Sequence, residues 1–308
     1  MLRAAWLGVA TVLMLYAQVA IEPRQKPSAG REPKIQATLR VDTSLVLVPV
    51  TVNDPLNRPV AGLEKENFRV LDNKVEQTIT QFAMDDEPVA VGLVFDTSGS
   101  MGNKLRRSRM AAVEFFKLSN EQDEFFLVEF DNEPRLAVPL TKDYGHIESQ
   151  LAFSRSKGST ALLDAIYLSL HELRRSQRRK KALLVISDGG DNHSRYTAKE
   201  VENVVRESDV LIYAIGVFGG DGADENPWLL NKIAEQTGAR MFEASAYELP
   251  DIASKIGIEL RNRYVVGYSP SNQQHDGKYH TVEVRVIPPR GLPKLAAHWR
   301  KGYYAPLD

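Results

Sequence analysis

Four short apolar runs, each followed by a stretch with helical spacing, constrain this chain more than any other feature. The runs are Val89–Phe95, Phe125–Phe130, Ala182–Ser187 and Val210–Val217. Alongside them, Lys104–Leu118, Ala161–Arg175, Ala198–Glu207 and Pro227–Thr237 carry apolar residues at helical intervals. Runs that are apolar throughout, rather than alternating, suit strands buried on both faces. Strands of that kind separated by helices predict a three-layer, doubly wound α/β domain with a mainly parallel, Rossmann-like sheet. Its expected extent is residues 88–263, and its last helix is expected over Tyr247–Arg263.

The flanks are β in character. In residues 39–87, Leu45–Val52 is apolar and β-branched, and Phe68–Leu71 and Val75–Phe82 flank a turn at Asp72-Asn73-Lys74, a hairpin pattern. In residues 264–308, Tyr264–Tyr268, His280–Ile287 and Leu295–Tyr304 read as strands. Each flank has roughly 45 residues, too few to bury much core alone. They are expected to pair into one β-sandwich with the α/β domain inserted between them.

The N-terminus has another character. Residues 1–20 carry a single charge, Arg3, ahead of an apolar run, the pattern of a secretory signal peptide or an uncleaved anchor. Residues 21–38 hold three prolines and few large apolar groups, which predicts a flexible tether. Export to the periplasm, cell envelope or medium follows as an expectation, and membrane attachment would come only through that anchor.

Composition excludes several chemistries. The chain has 308 residues, 43% hydrophobic and 26% charged, with a net charge of -1. That near-neutral balance gives no reason to expect nucleic acid as a partner. The absence of cysteine rules out disulfides, thiolate catalysis, iron–sulfur clusters and Cys-ligated zinc.

The residues that carry chemistry follow the first apolar strand. Asp96-Thr97-Ser98-Gly99-Ser100 offers one carboxylate and two hydroxyls where a parallel strand ends, the edge at which open α/β sheets bind ligands. Thr160, at a loop-to-helix junction, adds a third hydroxyl, and Asp188, at the end of Ala182–Ser187, a second carboxylate. An oxygen-only set suits a hard divalent cation, Mg²⁺ before Mn²⁺ or Ca²⁺.

This three-part pattern resembles the metal-ion-dependent adhesion site of von Willebrand factor type A domains. The flanking stretches FRVLDNKVEQTITQF and RYVVGYSP resemble the related domain proteins common in acidobacteria. The resemblance implies that Ser98, Ser100 and Thr160 ligate the metal directly, while Asp96 and Asp188 hold it, often through water. It also implies a protein ligand that completes the site with an Asp or Glu carboxylate, and no enzymatic activity. In many such domains the last helix shifts on ligand engagement, which would be Tyr247–Arg263 here.

Rival readings use the same residues. A scaffold protein could keep the metal only to stabilise its fold. A hydrolase could use Ser98 with His193, but a G-x-S-x-G elbow is absent and no second Asp follows Asp96 at the acid/base position. Asp191, Asn192, His193 and Tyr196 are expected on the rim, either selecting a partner or simply solvated. Asp221, Asp224 and Glu225 read as an acidic surface loop, and Lys104, Arg106, Arg107 and Arg109 as a solvated helix face. The basic run from Arg174 to Lys181 is expected at the sheet edge opposite the metal, where a helix C-terminus favours positive charge.

Overall fold

The computed structural model describes residues 45–219, 225–244, 248–272 and 276–307. The signal-like residues 1–20, the tether 21–38, Asp221, Asp224 and Tyr247 lie outside the described residues. Among the described residues no helix is long and apolar enough to cross a membrane.

Four strands come first: β1 (Val46–Asn53), β2 (Phe68–Asp72), β3 (Val75–Gln77) and β4 (Ile79–Asp85). The α/β portion follows with β5 (Val89–Asp96), α1 (Leu105–Phe116), β6 (Glu124–Phe130), β7 (Pro134–Thr141), α2 (Tyr144–Phe153) and α3 (Leu162–Leu173). It continues with β8 (Lys180–Ser187), α4 (Ala198–Glu207), β9 (Val210–Val217), α5 (Pro227–Gln236), β10 (Met241–Ala244) and α6 (Leu249–Arg261). The chain then returns to strands β11 (Arg263–Tyr268), β12 (Tyr279–Val286), β13 (Ala296–Trp299) and β14 (Gly302–Tyr304).

The central sheet has the order β10-β9-β8-β5-β6-β7. All its pairings are parallel except β6 with β7. Strands β5 and β9 are buried along their whole length, as the apolar runs require. One face is covered by α1, α2 and α6 through Phe115, Ile147 and Ile256, and the other by α3, α4 and α5 through Ile166, Val201 and Ile233. Gly92, midway along β5, shows how tightly the layers meet. A Cβ there would stand 2.1 Å from Phe126 Cζ, so no larger residue fits without moving the sheet.

The flanks form two antiparallel four-stranded sheets, β13-β1-β11-β4 and β14-β12-β2-β3. Val50 and Tyr264 of the first share one core with Phe68 and Val284 of the second. Each sheet therefore draws strands from both ends of the described chain, and the α/β portion is inserted between β4 and β11.

Two expected strands differ from the structure in the same way. Val75–Phe82 is not one strand: β3 pairs with β2, whereas β4 pairs with β11 in the facing sheet. Gln77 and Ile79 are both buried, so inward alternation continues through Thr78 and conceals the change of sheet. Leu295–Tyr304 likewise divides into β13, beside β1, and β14, beside β12. Three elements were not anticipated. Edge strand β7 contains Pro134 and Pro139, residues that argue against a strand except at an edge. Helix α2 buries only Ile147 and Leu151, and β10 has only four residues.

Candidate metal centre

The expected ligand residues lie at the carboxyl ends of the parallel strands. Asp96 ends β5 and is fully buried. Its Oδ1 accepts the Ser98 amide at 2.8 Å and its Oδ2 accepts the Ser187 hydroxyl at 2.6 Å. Burial pushes Asp96 up to about 6, with the Asp188 carboxylate adding to the rise, while the hydrogen bonds from Ser187 and Ser98 oppose it. The Ser98 and Ser100 hydroxyls stand 3.1 Å apart.

The loop before α3 is stitched to this turn. Gly158 accepts the Gly99 amide at 3.0 Å, the Lys157 amide donates to Thr97 at 2.8 Å, and the Ser156 hydroxyl donates to the Ser98 carbonyl. Gly158 has φ +74° and lies so close to Asn132 that a Cβ would stand 2.7 Å from its Oδ1. Both the backbone conformation and the contact call for glycine. Two residues on, Thr160 is nearly buried. Its amide donates to Asn192 Oδ1 at 2.9 Å, and its carbonyl accepts the amides of Asn192 and His193.

Asp188, just after β8, is 2% exposed. Its Oδ1 accepts the Gly190 amide at 3.2 Å. Its Oδ2 is buried and accepts no hydrogen bond. A buried carboxylate oxygen without a donor is costly unless a cation faces it. The observed donor set contains only hard oxygens, which fits Mg²⁺, Mn²⁺ or Ca²⁺. Among the described residues no group of three His, Cys, Asp or Glu side chains is placed to hold a metal. A cation at this edge would therefore rely on the hydroxyls.

The rim residues divide. Asp191 is structural, accepting the Leu163 amide at 3.2 Å and the Ser194 hydroxyl at the start of α3. Burial raises its carboxyl above the usual range. His193 is exposed, and among the described residues no hydrogen bond joins its ring to Ser98 or Ser100. Tyr196 stacks on Tyr167 with centroids 4.0 Å apart. Arg106 is exposed, but Arg109 donates to the Ser154 carbonyl.

Lys104 and Glu225 correct the sequence reading. Lys104 is buried rather than solvated, with its ammonium 3.1 Å from Glu225 Oε1 and 3.6 Å from Asp188 Oδ2. It stands in a run of basic residues of which Arg106 is exposed, so no local pattern marks its inward turn. Ser187 was also missed. Its signal was a hydroxyl at the end of an otherwise apolar strand, one residue before Asp188. The basic run after α3 behaves mostly as expected, with one exception: Lys180 is buried and pairs with Asp85 of β4 at 3.1 Å.

Residues 91–190 match the family model described as von Willebrand factor type A domain. The inter alpha-trypsin inhibitor heavy chain 4 of Mus musculus is 26% identical over 211 residues, covering 62% of this chain and 22% of that protein. Its counterpart from Bos taurus is 24% identical over 270 residues, covering 81% of this chain and 28% of that protein. The matches thus span between a fifth and a third of those relatives' length. Among solved structures, a von Willebrand factor type A protein from Catenulispora acidiphila aligns with a TM-score of 0.51 at 13% identity, over 85% of this chain and 73% of that one.

Proposed function

With a von Willebrand factor type A domain at its centre, we propose that this chain is a divalent-cation-dependent protein-binding module, non-catalytic and acting outside the cytoplasm. Its ligand is a protein that presents an Asp or Glu carboxylate to the strand ends. The observation that carries this reading is a pair of buried carboxylates at neighbouring strand ends, Asp96 and Asp188, with the Ser98 and Ser100 hydroxyls 3.1 Å apart in the turn after Asp96 and the Lys104 ammonium facing Asp188 Oδ2. Export rests on the apolar N-terminal run behind Arg3. The flanking sandwich motifs favour the acidobacterial type of the family.

When bound, Mg²⁺ supplies an electrophilic centre that can accept a partner's carboxylate oxygen. Ser98, Ser100 and Thr160 would hold it through neutral oxygens, and Asp96 and Asp188 would supply the negative charge. Neutral hydroxyls donate little charge, so an ion held this way keeps its attraction for an outside carboxylate. Ser187 and the Ser98 amide hold Asp96 in one orientation through two hydrogen bonds. The Asn192–Thr160 bond positions the third hydroxyl's residue against the loop after β8.

A second reading is favoured by one observation. Both oxygens of Asp96 already accept hydrogen bonds within the protein, as they would in a scaffold whose site only steadies the fold. Calorimetric titration of the chelated protein with Mg²⁺ and Mn²⁺, beside Asp96→Ala and Ser98→Ala, tests the main proposal. Binding by the wild type that both variants lose supports a cation site, and no binding at millimolar metal rejects it. Cation-dependent capture of an acidic partner, lost in the same variants, separates the module from the scaffold.

A further inference from the structure

A lysine at the beginning of α1 is poorly placed on two counts. Its side chain is 5% exposed, although lysines normally carry their charge to solvent. It also lies at a helix N-terminus, where the dipole disfavours positive charge. Two carboxylates compensate. The Lys104 ammonium bridges Glu225 Oε1 at 3.1 Å and Asp188 Oδ2 at 3.6 Å. Asp188 Oδ2 is the same oxygen that accepts no hydrogen bond. The charge that faces this oxygen is therefore one that the chain itself supplies.

We propose that Lys104 and Glu225 form a built-in regulator of the metal centre, Lys104 competing with the cation for Asp188 and Glu225 drawing Lys104 away. The inference rests on the cation-binding reading above. Its logic is a charge balance. Asp96, Asp188 and Glu225 against Lys104 leave two formal negative charges when every carboxylate is ionised, which matches a divalent ion. Removing the lysine leaves three charges and favours a higher-valent ion. Neutralising Glu225 leaves one and directs the ammonium fully onto Asp188. Like charges at this range repel strongly in a buried setting, so both changes should act on affinity rather than on the fold alone. Lys104 and Glu225 would be positioning residues that set the strength and valence preference of cation binding without ligating the ion.

The test is a set of Mg²⁺ and Tb³⁺ titrations on wild type, Lys104→Met, Glu225→Gln and the double variant, each with a circular dichroism spectrum. Lys104→Met should bind Mg²⁺ at least about tenfold more tightly and gain more for Tb³⁺ than for Mg²⁺. Glu225→Gln, nearly isosteric, should weaken both ions at least about fivefold, and the double variant should return towards wild type. Glu225→Gln alone carries the test if Lys104→Met does not fold. Unchanged affinity in the folded single variants, with wild-type binding still lost in Asp96→Ala, overturns the regulator and leaves the metal centre standing. No binding in any variant overturns both. A purely structural role would alter melting temperature without changing the Tb³⁺-to-Mg²⁺ preference.

Discussion

At the two ends of the central sheet, buried charges are handled differently. At the amino ends, charges pair within the α/β portion and, through Lys180 with Asp85 and Arg240 with Asn57, reach across to the sandwich. Arg240 donates to Glu259 Oε2 at 2.8 Å and to Asn57 at 2.8 Å. Lys180 pairs with Asp85 at 3.1 Å, and Arg261 with Asp123 at 2.7 Å. Asp123 also accepts the amide of Val89, the first residue of β5. At the carboxyl ends, Asp96 is held by neutral donors, while Asp188, whose Oδ2 accepts no hydrogen bond, shares the one ammonium of Lys104 with Glu225. The first arrangement gives each carboxylate a cation and ties the sheet to the sandwich at Lys180, while the second leaves two carboxylates sharing one ammonium. Glu259 Oε1 likewise accepts no hydrogen bond, but Glu259 Oε2 takes two from Arg240, at 3.3 and 2.8 Å, and a buried, hydrogen-bonded ion pair is costly to break.

That contrast gives the largest predicted effect. Among the described residues, Arg240→Met removes the only cation hydrogen-bonded to the nearly buried Glu259. It should cost about 3–5 kcal/mol in urea denaturation of the chelated protein. A loss below about 1 kcal/mol would break the comparison, because the junction would then be no better paired than the metal edge.

A buried carboxylate within the sandwich sharpens it further. Asp72 accepts from Tyr268 at 3.0 Å and Tyr303 at 2.7 Å, and its other oxygen lies 3.0 Å from His280 Nδ1. These partners come from β11, β14 and β12, so one side chain ties both sandwich sheets together. Burial and the Asp72 charge hold the phenols of Tyr268 and Tyr303 well above their ordinary range. Asp72→Ala would strand those donors and should cost about 2–3 kcal/mol. The matched change Asp188→Ala, in the absence of cations, leaves Lys104 paired with Glu225 and should cost less, about 1–2 kcal/mol. Equal losses in thermal melting would show that the Asp188 carboxylate contributes to the fold as much as Asp72 does.

Much of the α/β layer order was legible because fully apolar strands and amphipathic helices leave distinct spacings. Helix α4 coincides with its predicted span Ala198–Glu207, and its Thr197–Glu200 capping box is visible as a residue pattern. The change of sheet at Thr78 was hidden, since period-two alternation says which face is buried but not which sheet supplies the partner strand. The same limit applies at the candidate metal centre. Asp96, Ser98, Ser100 and Asp188 follow strand ends and Thr160 precedes a helix, so their placement at the carboxyl edge could be anticipated from the alternation of strands and helices. Lys104 turning inward towards Glu225 depends on a contact 121 residues away, which no local pattern encodes.

The smallest predicted effect uses pH to set the two ends against each other. His298 of β13 lies on the junction side, and burial together with Arg240 and Lys301 pushes its imidazole down to about 4. Below its ordinary value of 6.5 the unfolded chain takes up a proton that the fold refuses, so stability is lost as pH falls from 6.5 towards 4. Asp96 has the opposite sign. Raised from 3.8 to about 6, it keeps in the fold a proton that the unfolded chain has released, so stability without cations is lost as pH rises from 4 to 6. Each contribution is at most about 3 kcal/mol, less for the partly exposed His298, and because in the wild type the two oppose each other over a shared window their net effect is small. Thermal midpoints in chelator between pH 4 and 7 should separate them. Relative to wild type, His298→Gln should gain stability towards pH 4, and Asp96→Asn should gain it towards pH 6. If both variants follow the wild-type curve in parallel, the two ends do not differ in how they hold charge, and the separation of a closed junction from an open metal edge fails on its own terms.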